Sequence, residues 1–320
     1  MKLREIYERG VKKSMSEDPR SGRGIKEHLD RVKKEYRVMK GIDRKSFDLE
    51  RLKHPYDDSR ILFGSGSEEI KTVMVGVDID VSELLLADRL REKGVKIDLV
   101  ISHHPSGRAL FQLDKVMDIQ PAIWEGFGIP KEIASKIMDK RMKEVARGLT
   151  GTNHTRVADT ARILGIPFIC MHTMADNCVS AYLQRIFDKN KPKKLKDVLS
   201  ILKNIPEYRN AMKTSGVAPH ILVGSEKMDA GKIYVDMTGG TNGPDAVFSR
   251  LSQSGVKTIV GMHIKEQGYN AVRSEFLNYV IAGHMASDVL GMNLLFDAID
   301  QKSELEFIEC SGFKRITRNK

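Results

Sequence analysis

The chain has 320 residues, 41% apolar and 30% charged, which is enough for two ordinary domains, or one large domain with insertions, around a sizeable core. Its three cysteines, Cys170, Cys178 and Cys310, are too few and too irregularly spaced for a disulfide scaffold or a zinc ribbon. The opening MKLREIYERGVKKS has no apolar stretch of the signal-peptide kind, and no run approaches the roughly 20 apolar residues of a membrane span, so a cytoplasmic protein is expected. The formal net charge of +10 suits anions such as nucleotides, phosphorylated metabolites or nucleic acid; a plain solvated surface rich in lysine is the more ordinary explanation. Basic residues are spread out, except in Lys191-Pro-Lys-Lys-Leu-Lys196 and in the tail residues Lys314, Arg315, Arg318 and Lys320. Few aromatics accompany them, which gives little support to base stacking.

Residues 1–54 read as a helical N-terminal extension. LREIYERGVKKS and IKEHLDRVKKEYRVMK place apolar residues at three- and four-residue spacing, with the turn SEDPRSGRG between them. Such a leader fits an arm against a neighbouring subunit or a surface helical hairpin. From 55 to 320 the pattern is α/β. KTVMVGVD (71–78) and KIDLVIS (96–102) are apolar strands flanking a helix from Val81 to Gly94, with Ser82 as its expected N-cap. Strand, helix and strand within some thirty residues predict a parallel pair. A mostly helical insertion covers about 106–165, and includes IPKEIASKIMDKRMKEVARGL and a helix from Asn153 to Gly165; IPFICM (166–171) is a buried strand. Residues 187–230 contain the helical LKDVLSILKNI and otherwise read as loop. The last third alternates again: IYVDM (233–237), the turn TGGTNGPD, a helix, KTIVGM (257–262), a helix, NYVIAG (278–283), a helix, and the closing strand LEFIECSG. The two βα-rich halves hint at related lobes.

Open α/β sheets bind ligands beyond the carboxyl ends of their strands. At those ends lie His103-His104-Pro105, His172 through Asp176, His263, and His284 through Asp288. Five of the nine histidines fall within two residues of a strand end, which is the strongest chemical signal in the chain. Adjacent His103 and His104 are expected to diverge to opposite sides of their strand. His172/Asp176 and His284/Asp288 are i,i+4 pairs that share a face if the chain turns helical there. Imidazole and carboxylate together suit Zn, Mn, Fe or Ni, although a single histidine at a strand end is more often simply hydrogen-bonded. Asp78 fits a residue behind the site, or a turn or cap. Cys170 reads as a small core residue. TGGTNGPD is neither a P-loop nor G-x-G-x-x-G; its glycines fit a tight turn or a weak anion site.

At these residues the chain resembles the Nif-three-like family, also called GTP cyclohydrolase I type 2 proteins. VMVGVDID…VISHHP is similar to that family's opening, MHTMAD to its H-T-x-x-D motif, PYDDSRILFG (55–64) to its D-N-x-G-L-x-x-G segment, and TGGTNGPDAVFSRLSQSGVKTIVGMHIKEQ…YVIAGHMASD to its closing stretch. The resemblance spans about residues 55–300. It implies a two-lobed α/β fold with mixed or parallel sheets, a ring-shaped homohexamer, and a dinuclear site whose ligands fall on His103, His104, Asp176, His284 and Asp288, with His172 beside the metals. Asp288 stands where that family usually has glutamate, and Gly261-Met262-His263 stands where it has T-G-E. The expected protein binds two divalent ions (Zn, Fe, Mn or Ni) and acts as a metal-dependent hydrolase on a nucleotide or another anionic, phosphorylated small molecule, with His172 or His263 moving protons. The alternative is a non-catalytic metal-binding or regulatory protein, with nucleic acid as a weakly supported partner.

Overall fold

Strands that are buried on both faces need helices on both sides, and that requirement organises this molecule, a computed structural model in which residues 1–302 and 304–319 are described. Lys320 of the basic tail lies outside the described residues. Three helices lead the chain: α1 (Leu3–Glu17), α2 (Ser21–Val38) and α3 (Gly41–Ser46). The first lobe then follows with β1 (Ser59–Phe63), β2 (Thr72–Gly76), α4 (Val81–Glu92) and β3 (Leu99–Ser102). The helical segment contains α5 (Gly107–Phe111), α6 (Leu113–Val116), α7 (Gln120–Gly126), α8 (Lys131–Leu149) and α9 (Arg156–Leu164), and leads into β4 (Phe168–Met171) and α10 (His172–Asn190). After α11 (Leu195–Asn204) and α12 (Pro206–Ser215) comes the second lobe: β5 (His220–Val223), β6 (Lys232–Asp236), α13 (Val247–Gln253), β7 (Val256–Gly261), α14 (Glu266–Ser274), β8 (Asn278–Ile281) and α15 (His284–Ile299). The last strand, β9 (Glu306–Glu309), returns to the first lobe.

The two sheets repeat one plan. The first has the order β1-β4-β3-β2-β9 and the second β5-β8-β7-β6. In each, the lobe's first strand is antiparallel to its last, β1 to β4 and β5 to β8, and the remaining pairs are parallel. The α/β class, the mixed sheets and the βαβ pairing of β2 with β3 agree with the sequence reading. The strands β1 and β5, and helix α12, were not foreseen: β5 is a four-residue edge strand with alternating partial exposure, too short for a period to show.

Strand alternation divides the core. Val73, Val75, Leu99, Ile101, Ile169 and Met171 face α1, α10 and α15, whereas Met74, Val100 and Phe168 face α4 and α9. The second sheet meets α10, α11, α12 and α15 on one side and α7, α8, α13 and α14 on the other. Helices α10 and α15 therefore lie between the sheets, and α15 is apolar around nearly its whole circumference, as a helix enclosed on both sides must be. Their axes approach closely because Gly291 faces the α10 backbone: a Cβ there would stand 2.6 Å from the Ala175 carbonyl oxygen.

Helix α1 is not a surface arm. Leu3, Ile6 and Tyr7 are fully buried, with Gly10 and Ser14 on the same face. The small residue Gly10 lets α1 approach Ile299 and Met174, and the Tyr7 hydroxyl donates to the Ser59 carbonyl at 2.8 Å. Helix α1 completes the layer that covers the first sheet. Helix α4 is capped by Asp80 rather than Ser82, through a capping box with Glu83. In the tail, Lys314 pairs with Glu309 of β9, Arg315 with Asp297 of α15 and Arg318 with the buried Glu207 of α12, so the two arginines strap the chain end to α15 and α12. No helix among the described residues is long and apolar enough to cross a membrane.

Gly291→Ala should force α10 and α15 apart and lower stability by about 1–3 kcal/mol, as overpacking does. Gly148→Ala, in α8 with nothing within 4 Å of the new methyl, should be neutral or stabilise by up to about 1 kcal/mol. Denaturant unfolding of both variants checks the contrast; equal midpoints would remove the tight crossing from the account.

Candidate metal centre

The cluster is assembled by three strand ends. β4 runs directly into α10, so His172 and Asp176 occupy its first two turns; β8 reaches α15 through Gly283 and places His284 and Asp288 likewise. The expectation that each i,i+4 pair shares a helix face holds: His172 Nε2 lies 3.8 Å from Asp176 Oδ2, and His284 Nε2 lies 3.4 Å from Asp288 Oδ2. His103 and His104 follow β3, and here the expected divergence fails. The Ser102 hydroxyl donates to the His104 carbonyl at 2.6 Å, the chain turns, and both rings face the cluster with centroids 5.1 Å apart.

Three donor groups result: His103, His104 and His172; His104, His284 and Asp288; and His103, Asp176 and Asp288. They overlap, and Asp288 belongs to two of them. Its Oδ1 lies 3.4 Å from His103 Nε2, and its Oδ2 lies 3.6 Å from His104 Nε2. Asp176 Oδ1 is also 3.4 Å from His103 Nε2. Both Asp288 oxygens, Asp176 Oδ1 and His103 Nδ1 are buried without any hydrogen-bond partner among the described residues. Orphaned buried carboxylate oxygens are costly, and a cation is the partner that would satisfy several at once. The spacing agrees with this: two donors about 2.1 Å from one tetrahedral ion lie roughly 3.4 Å apart, beyond the reach of a good direct hydrogen bond. Buried histidine and aspartate groups here could thus hold a metal ion.

Carboxylates behind the cluster fix which imidazole nitrogen faces it. An ionised carboxylate only accepts, so His172 Nδ1 donates to Asp58 Oδ2 at 2.8 Å and His104 Nδ1 donates to Asp78 Oδ1 at 2.6 Å. Each arrangement leaves Nε2 turned inward. Asp58 is fully buried and also accepts from the Thr173 hydroxyl at 2.6 Å. The sequence reading named Asp78 but not Asp58, whose signal was the acid pair before β1; the antiparallel register of Ser59 opposite Met171 carries it to the site.

The charges follow from burial and neighbours. Burial pushes Asp176 up to about 6 against the pull of His172 and His103. It works against the charge of His172 too, but Asp176 and the hydrogen bond to Asp58 outweigh it and raise that imidazole to about 9. His104 is pushed down to about 4 by burial, with His103 and His172 adding to the effect. Burial raises Asp288, yet His103, His284 and His104 together hold it below the usual carboxylate range.

His263 stands apart from the three donor groups. Its exposed ring lies 4.7 Å from that of His284, and burial of its inner side lowers its pKa. Cys170 is buried core, with its thiol pushed up to about 11 by burial. The glycines of TGGTNGPD serve close packing: a Cβ on Gly239 or Gly243 would come within 2.7 Å of Gln120 on α7.

No protein-family model matches the chain, and no curated protein does. Among solved structures, a NIF3 superfamily protein from Sphaerobacter thermophilus is similar at 27% identity over 80% of this chain and 92% of that one, with a TM-score of 0.69. Reduced HcgD from Methanocaldococcus jannaschii is more distant, at 14% identity over 78% of this chain and 87% of that one, with a TM-score of 0.49. Carried by the Sphaerobacter structure, the resemblance read from the motifs holds: this chain shares the fold of the NIF3 superfamily, the Nif-three-like family, and brings a histidine–aspartate cluster that fits a metal site.

Proposed function

We propose that this protein is a metal-dependent hydrolase with two divalent ions held by His103, His104, Asp176, His284 and Asp288, acting on a nucleotide or another phosphorylated small molecule. The observation that carries the reading is Asp288: a buried carboxylate with both oxygens unpartnered, facing imidazole nitrogens of three different histidines at 3.4–3.6 Å. Its two oxygens face different histidines, so this carboxylate could serve an ion on either side, and that supports the reading of two.

Divalent ions in such a site supply Lewis acidity and make water a nucleophile near neutral pH. The protein's own groups do the rest. Asp58 and Asp78 orient the imidazoles of His172 and His104. His172, whose Nδ1 proton is tied to Asp58, lies beside the proposed ligands and is the buried histidine we assign to holding a proton. His263, exposed beside His284, is the histidine free to exchange protons with solvent or a leaving group.

Elemental mass spectrometry of protein purified without added metal or a histidine tag tests the site. About two transition-metal ions per chain are expected, with a loss of half or more in Asp288→Ala. If the folded protein stays metal-free after incubation with Zn, Mn and Fe(II), the proposal fails.

Metal loading should also release protons. In the metal-free protein at pH 7, His172, at about 9, carries a proton that a neighbouring cation expels; below pH 6 Asp176, at about 6, adds a second. Apparent affinity should therefore fall as pH drops from 7 to 5. Calorimetry in buffers of different ionisation enthalpy measures the release, and buffer-independent heats would contradict it.

Asp58→Asn keeps the shape of the residue but removes the charge behind His172. It should weaken metal affinity about 10–100-fold, read by competition with a chelator, while the unfolding transition stays cooperative. Unchanged affinity would show that Asp58 plays no part in holding the cluster.

A further inference from the structure

A second cavity, of about 450 Å³, adjoins the metal centre. The space among the histidines and aspartates is only about 70 Å³, enough for a reacting group but not for the body of a substrate. The two cavities share Asp236 and Asn242 in their walls. The larger lies between α8, the turn after β6 and the start of α13, with Trp124, Tyr234, Phe248 and Tyr279 among its lining residues. Its volume lies within the ordinary range for small-molecule sites.

Its polar groups are arranged by type. At the wall shared with the metal centre, Asp236 accepts from the Tyr234 hydroxyl at 2.9 Å, and Tyr234 in turn accepts from the Trp124 indole N–H at 3.3 Å. This relay fixes one carboxylate oxygen, and Asp236 has no ion-pair partner among the described residues. Lys136 and Lys140, one turn apart on α8, and Lys265, which lies beyond β7, line the larger cavity and not the metal centre. None of these lysines is ion-paired among the described residues, unlike Arg141, which is held by Glu144 and the Asn242 carbonyl. An acid without an ion pair at the wall shared with the metal centre, aromatic sides and unpaired cations away from that wall match one chemical shape, although Asp245 lines the larger cavity as well.

We infer that this chamber takes the body of the substrate, and that it selects a phosphorylated compound with a planar heteroaromatic ring: N–H donors of the ring meet Asp236, next to the metals, and the phosphate meets Lys136 and Lys140. The inference rests on the hydrolase reading above and refines it, since it turns the ring rather than the phosphate toward the metal centre. It also gives the helical segment a role, because α8 supplies the phosphate contacts.

Trp124 is the one tryptophan of the sequence and lines the chamber, so its fluorescence reports occupancy without any assay of turnover. The full-length protein is titrated with AMP, GMP, CMP and UMP, with the corresponding nucleosides and with inorganic phosphate. At least one monophosphate should give a saturable change and bind about tenfold more tightly than its nucleoside, the scale of a charge-assisted contact. The double variant Lys136→Ala/Lys140→Ala should erase that advantage, and Asp236→Asn should weaken nucleotide and nucleoside alike by about tenfold. No saturable response to any monophosphate at millimolar concentration, or a response unchanged in both variants, overturns the inference. Metal content of the same samples separates the two readings. Nucleotide binding without metal leaves the chamber standing and removes the hydrolase; metal without nucleotide binding removes the chamber alone.

Discussion

The contact between α10 and α15 is the constraint on which the rest depends. Each helix begins at the end of a sheet strand and brings a histidine and an aspartate in its first turns, and the two axes can approach only because residue 291 has no side chain. Were the helices farther apart, Asp176 and Asp288 would not both reach His103. The apolar bodies of these helices then fill the space between the sheets, so one packing event buries the core of both lobes and gathers the donors. Helix α1 belongs to the same layer, which explains why a leader that looks polar is fixed inside the molecule. Asn177 adds a further tie, accepting from Thr238 of the second lobe and donating to Ser14 of α1.

Much of this was legible in the sequence. Buried parallel strands are continuous apolar runs, so β2, β3, β4, β7 and β8 could be read directly, and histidines just beyond them marked the site. The i,i+4 spacing of His172/Asp176 and His284/Asp288 needed only the assumption of a helix start. What could not be read depended on partners distant in the chain. Asp58 reaches His172 through an antiparallel edge strand whose five residues carry no period of their own. The burial of α1 was hidden because part of its inner face is Gly10 and Ser14, residues equally at home on a surface. The divergence expected of His103 and His104 assumed strand geometry one residue too far: the ladder stops at Ser102, and the turn beyond it points both rings the same way.

The glycine-rich turn illustrates how one pattern supports different physics. Before a helix it suggests exposed amides and an anion. Here its glycines allow the turn to lie against α6 and α7, and the polar side chains beside it that line the larger cavity are Asp236 and the α8 lysines. The helical segment between β3 and β4 is thus packed onto the second lobe as well as joined to the first, and it forms a wall of the larger cavity.

The two sheets repeat one strand order apart from β9, and in each lobe the last strand of that plan leads into a helix that opens on a histidine and an aspartate, but the two ends differ at the residues that matter. His172 is backed by a buried carboxylate and shut off from solvent, whereas its counterpart His284 has a side chain 40% exposed and no such support among the described residues. Two adjacent histidines follow β3, where Met262 and His263 follow the equivalent β7. A perfectly duplicated molecule would offer two identical coordination sites. Here the His172 side of the cluster is enclosed and the His284 side is open, so a metal ion held on the first would be shielded from water and one held on the second would face it.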